Sequence, residues 1–224
     1  MSTINIPYKE TRLIVSLYDY SKKWVQPYIK SGYPVICWDK KIEGCILEKF
    51  TTLQTNIETA IKTGHSPYGF LFAPPCTHFA GSGAQWWAKK DAAPPFENDI
   101  WNDVDYHVAY VLICLHLVEI YKPAFWVLEN PVGRIEKLVP ELSPYRTMTF
   151  NPCDFGDPYT KKTILYGSFN KDLVKNPVQP EYITWAGKRF PAIWKGTGGS
   201  SEKTKTRRSQ TPAGFARAFF KANP

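Results

Sequence analysis

Short apolar runs that alternate with helix-period segments predict an α/β fold, with a mostly parallel sheet carrying helices on both faces. Three observations lead there. The runs at 13–17, 33–38, 69–73 and 124–128 are apolar almost throughout, as strands buried between two layers are. Segments of helical spacing separate them, most clearly over 103–121. Asp19, Asp39, Cys76 and Glu129 each follow an apolar run within a few residues. Sheets of this kind bind ligands at the carboxyl ends of their strands, so this placement points to an enzyme.

The elements follow in order. A first strand is expected over 13–17, then a polar and aromatic stretch to Trp24. A helix over 25–31 ends at Gly32, which tolerates the left-handed backbone of a helix end. The second strand, 33–38, ends at Asp39. Leu53, Ile57, Ala60 and Ile61 predict a helix over 51–63. The run 69–73 is a third buried strand, and Pro74-Pro75 ends it, since proline has no amide hydrogen to continue a ladder. Residues 81–101, glycine-rich and then aromatic and charged, are expected to be loop. Val104, Val108, Val111, Leu112, Leu115 and Val118 form an apolar stripe that predicts the longest helix, 103–121, closed by Pro123. The strand 124–128 is expected to end at Glu129-Asn130-Pro131. Shorter strands are expected at 146–150 and 163–166. Little periodicity marks 167–206, and 196–205 reads as a flexible loop. A helix over 212–222 is the last element, and no internal repeat is visible.

Length and composition bound the possibilities. At 224 residues, 43% hydrophobic and 21% charged, the chain is expected to form one globular domain over 1–224. No run of about 18 apolar residues stands out as a membrane span, and the first twelve residues lack the apolar core of a secretory signal, so no membrane partner is expected. The five cysteines, Cys37, Cys45, Cys76, Cys114 and Cys153, are odd in number, irregular in spacing and free of C-x-x-C. That pattern argues against zinc and disulfides and for a reduced, cytoplasmic setting. No metal site is expected.

Charge is unevenly placed. Residues 1–150 carry 15 basic and 15 acidic side chains, whereas 151–224 carry 13 and 5, so the last third holds the whole net +8. A basic third on a neutral body points to a polyanion, most naturally nucleic acid; the plain alternative is a solvated surface.

Two constellations could carry chemistry. Cys76, in Ala73-Pro74-Pro75-Cys76-Thr77-His78-Phe79, sits on a proline-fixed turn just after a buried strand. A thiol held there can act as a nucleophile, although most free cysteines are simply small buried residues. Glu129, in Leu128-Glu129-Asn130-Pro131-Val132-Gly133, sits at the end of another strand. Partial burial would raise its pKa and let it donate a proton near neutrality; a cap or turn residue is the alternative. With one long helix between them, the two strand ends are expected to be neighbours.

Taken together, Pro-Pro-Cys and Glu-Asn-Pro resemble the DNA (cytosine-5) methyltransferases. More closely, the chain resembles small phage and bacterial cytosine-methyltransferase-like proteins. The resembling motifs stand at 74–77, at 129–133, at 155–163 (Phe-Gly-Asp-Pro-Tyr-Thr-Lys-Lys-Thr) and at 208–218 (Arg-Ser-Gln-Thr-Pro-Ala-Gly-Phe-Ala-Arg-Ala). The resemblance implies a Rossmann-like, S-adenosylmethionine-dependent methyltransferase fold with a short basic C-terminal insertion. It implies DNA as partner, a bacterial or infected-host cytoplasm, and transfer of a methyl group to cytosine C5 through a covalent adduct of Cys76 at C6. Cys76, Glu129 and Asn130 are then the catalytic group. Leu17, Tyr18, Asp19, Asp39 and Pro74 would meet the cofactor, Asp39 at its ribose. Thr77, Lys161, Lys162, Thr163 and Arg189 would meet the substrate. Gly81-Ser82-Gly83 would hinge a segment carrying Trp86-Trp87-Ala88-Lys89-Lys90 over the site. The closing segment, 207–219, would pack back on the sheet.

The chain departs from the family in two places. The glycine-rich loop after the first strand is replaced by Tyr18-Asp19-Tyr20-Ser21-Lys22-Lys23, with no glycine. In place of a large target-recognition domain only 167–206 is available, where Trp185, Phe190 and Trp194 alternate with Lys188, Arg189 and Lys195. That pairing suits base stacking with relaxed specificity. Two other readings stay open: a nucleic-acid-binding protein of this fold without catalysis, and an enzyme acting on RNA or a nucleotide monomer. Oligomeric state and target sequence are not encoded in any motif.

Overall fold

A computed structural model describes residues 11–92, 103–194 and 202–224. Six strands form one sheet: β1 Arg12–Leu17, β2 Val35–Trp38, β3 Ser66–Phe72, β4 Phe125–Pro131, β5 Arg146–Phe150 and β6 Thr163–Ser168. Their order is β2-β1-β3-β4-β6-β5. The pairs β1–β2, β1–β3 and β3–β4 are parallel, and β6 runs antiparallel to both β4 and β5. The sheet is therefore mixed and mostly parallel, as expected.

Strand alternation divides the core in two. Leu13, Val15 and Leu17 of β1, Phe70 and Phe72 of β3, and Trp126 and Leu128 of β4 face one layer. That layer holds α2 (Phe50–Lys62) through Leu53 and Ile57, and α4 (Val104–Tyr121) through Val111, Cys114 and Leu117. Ile14, Leu71, Phe125 and Val127 face the other, against Tyr28 of α1 (Gln26–Lys30) and Phe215 and Phe219 of α7 (Ala213–Ala222). Phe215 stacks on Phe150 with ring centroids 4.2 Å apart, so the last helix is tied to the edge strand.

Several expectations need correcting. The buried face of α4 is His107, Tyr110, Val111, Cys114 and Leu117, while Leu112 is 40% exposed. Polar rings and a thiol turn the helix: the Tyr110 hydroxyl lies 3.8 Å from Cys45 Sγ, and the His107 ring lies 4.4 Å from that of His78. A stripe counted on aliphatic residues alone points about one residue away. This helix is also long and apolar enough, by length and composition, to cross a membrane, contrary to the expectation that no such run exists. Here it covers one face of the sheet. In α2 the stripe is narrower than expected, since Ile61 is exposed.

Residues 81–92 are not loop. Gly81–Trp86 forms a 3-10 turn that runs into α3 (Trp87–Asp91); the rest of the expected loop, 93–101, lies outside the described residues. The strand β4 does not stop before Glu129 but continues through Pro131. Parallel β3 reaches only Leu128, but antiparallel β6 pairs Glu129 with Leu165, Asn130 with Ile164 and Pro131 with Thr163. Glu129 and Asn130 are thereby held by a ladder on one side and open to the Pro74-Pro75 turn on the other.

The stretch 167–206 also has structure. A hairpin, β7 (Tyr182–Trp185) with β8 (Lys188–Pro191), turns at Ala186-Gly187, where both residues have positive φ. The helix α6, Glu202–Ser209, begins inside the expected flexible loop, of which 196–201 is outside the described residues. Between β4 and β5 lie α5 (Ile135–Leu138) and a 3-10 turn, Pro140–Tyr145.

Candidate active site

Cys76 follows β3 by four residues, and its carbonyl accepts from the amides of Phe79 and Ala80, which closes the turn. Asn130 on neighbouring β4 donates from Nδ2 to the Pro74 carbonyl at 3.3 Å. Asn130 is fully buried, and its Oδ1 has no partner. The side chain thus fastens the proline turn to β4 and keeps one acceptor unused. Glu129, one residue earlier, is 7% exposed. Lys161, just before β6, directs its ammonium group to the Arg208 carbonyl at 3.2 Å. Cys76, Glu129, Asn130 and Lys161 therefore come together at the carboxyl ends of β3 and β4.

The electrostatics are those of a guarded pocket. Burial pushes the Cys76 thiol above its ordinary pKa; Lys161 and, less strongly, Arg208 pull it down, and Glu129 pushes it up. Burial also raises the Glu129 carboxyl, opposed by Lys161 and reinforced by Asp19. Lys161 is the one cation that favours the charged form of both groups. Protonated Glu129 and thiolate Cys76 are each other's best neighbours, because an ionised Glu129 disfavours the thiolate.

The segment after Cys76 is fastened to the end of β4. Arg134 donates from Nε to the His78 carbonyl at 2.8 Å and grips Asp91 with both terminal nitrogens, at 2.5 and 2.7 Å. Its guanidinium also lies 4.6 Å from the centre of the Trp87 ring. The Arg134 amide donates to the Phe79 carbonyl, the Gly81 amide to Val132, and Lys90 Nζ to the Thr77 carbonyl. Gly81 is thus hydrogen-bonded in place rather than left as an open hinge. Glycine is required at 133, where a Cβ would run into the Phe79 carbonyl oxygen and stand 2.7 Å from the Gly81 nitrogen. Gly133→Ala is expected to cost about 1–3 kcal/mol, read as a lower urea midpoint, with the 78–92 segment becoming sensitive to protease.

On the cofactor side the loop after β1 takes its own path. Tyr18 and Lys22 adopt positive φ, 64° and 54°, which keeps tight turns where glycine is missing. Asp19 builds the loop: its carboxylate accepts from the amides of Lys23, Trp24 and Val25 and from Ser21 Oγ, at 3.0–3.3 Å. All of these contacts are internal, so Asp19 shapes the loop rather than offering a free acceptor. Tyr18 packs on the Tyr110 ring and donates to the Tyr110 carbonyl at 3.2 Å. Leu17 is wholly within the core. Asp39 ends β2 half-buried, its Oδ1 accepting from the Lys41 amide at 2.9 Å, and burial raises its pKa. A partly desolvated carboxylate there fits the vicinal hydroxyls of a ribose, so an adenosyl cofactor suits the site at its sugar. Pro74 is buried, with its carbonyl taken by Asn130.

The substrate-side expectations separate. Lys161 joins the cluster. Thr163 is buried and its hydroxyl donates to the Lys161 carbonyl at 2.8 Å, which fixes the chain that carries the lysine. Lys162 and Thr77 are exposed, and each lends its carbonyl to the framework, to the Val132 amide and to Lys90. Arg189 lies on the exposed hairpin, away from that cluster in the chain, with its guanidinium 3.8 Å from the Tyr182 ring centre.

Three features escaped the sequence reading. Arg208 contributes charge at Cys76 from a segment far away in the chain. The helix α6 is strapped across the strand ends: Lys41 Nζ donates to Thr206 Oγ1, Lys23 Nζ to Gln210 just beyond the helix, and Lys161 to Arg208. The rings of His78, on the cysteine turn, and His107 meet at a tilt of 50°, with burial pushing His107 down to about 4. Among the described residues no group of three or more His, Cys, Asp and Glu stands together as metal ligands would.

No protein-family model matches the chain, and no curated protein does. Among solved structures it is similar to a prophage-encoded E. coli protein described as a candidate DNA modification methyltransferase. The identity is 12% and the TM-score 0.45, over 86% of this chain and 56% of that one. The chain thus spans little more than half the length of that structure. The strand order and the antiparallel β6 beside β4 make this a Rossmann-like fold of the methyltransferase type.

Proposed function

We propose that this chain is a cytosine-C5 methyltransferase acting on DNA, a single domain in which 167–206 replaces a recognition domain. The observation that carries the reading is the convergence of Cys76, Glu129, Asn130 and Lys161 on one buried corner. Cytosine C5 is a poor nucleophile. Addition of the Cys76 thiolate to C6 breaks the ring conjugation, and a proton from Glu129 to N3 takes up the displaced charge, which leaves C5 enamine-like. Lys161 stabilises the thiolate before attack. Asn130 fixes the turn that aims the sulfur. When bound, S-adenosylmethionine supplies an electrophilic methyl group; Asp39 would hold its ribose. Loss of the C5 proton to water, departure of the Cys76 thiolate and return of the N3 proton to Glu129 then restore the aromatic ring. A base in a duplex must be flipped out to reach this corner. The hairpin supports a nucleic-acid substrate, since Trp185 is 72% exposed and pairs across the hairpin with Lys188.

Calorimetric titration with S-adenosylmethionine and S-adenosylhomocysteine tests the cofactor half of the proposal. Micromolar binding is expected, weakened about tenfold in Asp39→Ala by loss of one charge-assisted hydrogen bond pair, about 1.4 kcal/mol or more. No binding to either, with and without oligonucleotide, would favour the second reading, a nucleic-acid-binding protein of this fold. Its supporting observation is the occupied state of the Asp19 loop.

A further inference from the structure

A second concave surface lies away from Cys76. A cleft of about 240 Å³ opens between α7 and the 174–176 segment. Phe155 and Ala218 give it an apolar floor, and Lys175, Asn176, Arg217 and Lys221 stand around it. Gly214, Arg217 and Lys221 recur on one face of α7 at helical spacing, so two of the cations belong to one rigid helix. The opposite wall is held by backbone bonds, Asn176 to the Asp154 carbonyl and Val178 to that of Cys153. Phe155 is buried and packs against Phe150 and Phe215. The cleft is thus built on the core.

Its charge is unbalanced. Lys175, Arg217 and Lys221 are exposed, and among the described residues none makes a hydrogen bond or ion pair. Two acids stand near the cleft, and both already accept from backbone amides: Asp157 from Gly214 and Asp154 from Asn151, each at 2.8 Å. Three cations around one concavity repel one another, and an anion relieves that repulsion.

We infer that this cleft binds backbone phosphates of a nucleic-acid strand whose target base occupies the Cys76 corner. The inference rests on the nucleic-acid reading above. A strand suits the site better than a single phosphate, because the cations are spread along an open rim instead of converging in a closed pocket. Distance agrees: six residues join Phe155 to Lys161, which limits the separation to about 22 Å. A few nucleotides span that gap, at roughly 3.4 Å of axis per phosphate of one strand.

Fluorescence anisotropy with labelled single-stranded and duplex oligonucleotides, from 50 to 200 mM salt, tests it on the full chain. The Lys175→Ala/Arg217→Ala/Lys221→Ala variant is expected to lower the slope of log affinity against log salt by about 2 on single strands and about 3 on duplex. The charge-matched control is Lys30→Ala/Lys62→Ala/Lys122→Gly, three cations at the C-terminal ends of α1, α2 and α4 and outside the lining of the cleft. It should leave the slope unchanged. Lys221→Glu alone, a single exposed change, should also lower it by about 1 or more. An unchanged slope in the triple variant, or an equal drop in the control, overturns the inference. Covalent capture through Cys76, measured on the same proteins, keeps the two proposals apart. Capture with an unchanged slope rejects the cleft alone; a lowered slope without capture rejects methyl transfer alone.

Discussion

Serine in place of Cys76 is expected to lower methyl transfer by roughly 10⁴-fold or more while leaving nucleic-acid affinity and the fold intact. The buried thiol has its pKa raised, so only a fraction is thiolate at neutral pH. An alcohol in the same place forms almost no alkoxide. In the wild type, alkylation of Cys76 should rise with pH toward the raised thiol pKa. Lys161→Met removes the strongest charge that favours the thiolate, so its alkylation profile should move to higher pH. Rates of iodoacetamide labelling, followed residue by residue by mass spectrometry, read both effects. A profile that ignores Lys161 would separate the lysine from the cysteine.

Glu129→Gln carries two opposite expectations. Turnover should fall by roughly 10²–10⁴-fold, because glutamine cannot donate the proton at N3. Stability above neutral pH should rise. The folded-state pKa of Glu129 is raised by burial, so the folded protein binds this proton more tightly than the unfolded chain. The favourable share of that linkage is complete below the unfolded pKa of about 4.3 and is lost as pH climbs through the folded value. An uncharged amide of the same shape escapes the loss. Thermal unfolding at pH 5 and pH 8 should therefore show the wild type losing more stability between the two than Glu129→Gln. Asp19 and Asp39, also raised by burial, contribute in the same direction in both proteins. A variant that loses turnover and stability together would make Glu129 a structural residue.

The parts of this molecule that sequence could announce are those governed by one local rule. Leu13–Leu17 and Gly69–Phe72 are buried on both faces, and their uninterrupted apolar character is the direct trace of that. The proline pair after β3 and Gly32 after α1 mark their ends for equally local reasons. The corner proposed as catalytic was legible as two strand-end motifs because neighbouring parallel strands bring their carboxyl ends together. What failed depended on partners distant in the chain. The roll of α4 is set by Cys45 and His78, which no helical pattern contains. The extension of β4 to Pro131 depends on β6, thirty residues later. The sequence of α6 has no apolar face at all; Lys41 holds its Thr206 hydroxyl, Lys161 its Arg208 carbonyl, and Lys23 reaches Gln210 just beyond it. Arg134 gave no signal beyond its charge, yet it fastens the whole segment behind Cys76 through Asp91 and two carbonyl contacts.

The central claim is that Cys76 adds to a pyrimidine whose C5 then takes a methyl group. The most direct test uses an oligonucleotide carrying 5-fluorocytosine, incubated with the protein and S-adenosylmethionine and examined by intact mass spectrometry. Fluorine at C5 cannot leave as the proton does, so the methylated adduct has no route to release. The account predicts a covalent species heavier than the protein by one oligonucleotide and one methyl group, located at Cys76 and missing in Cys76→Ser. Protein and oligonucleotide recovered at their own masses, under conditions where both ligands bind, would contradict it.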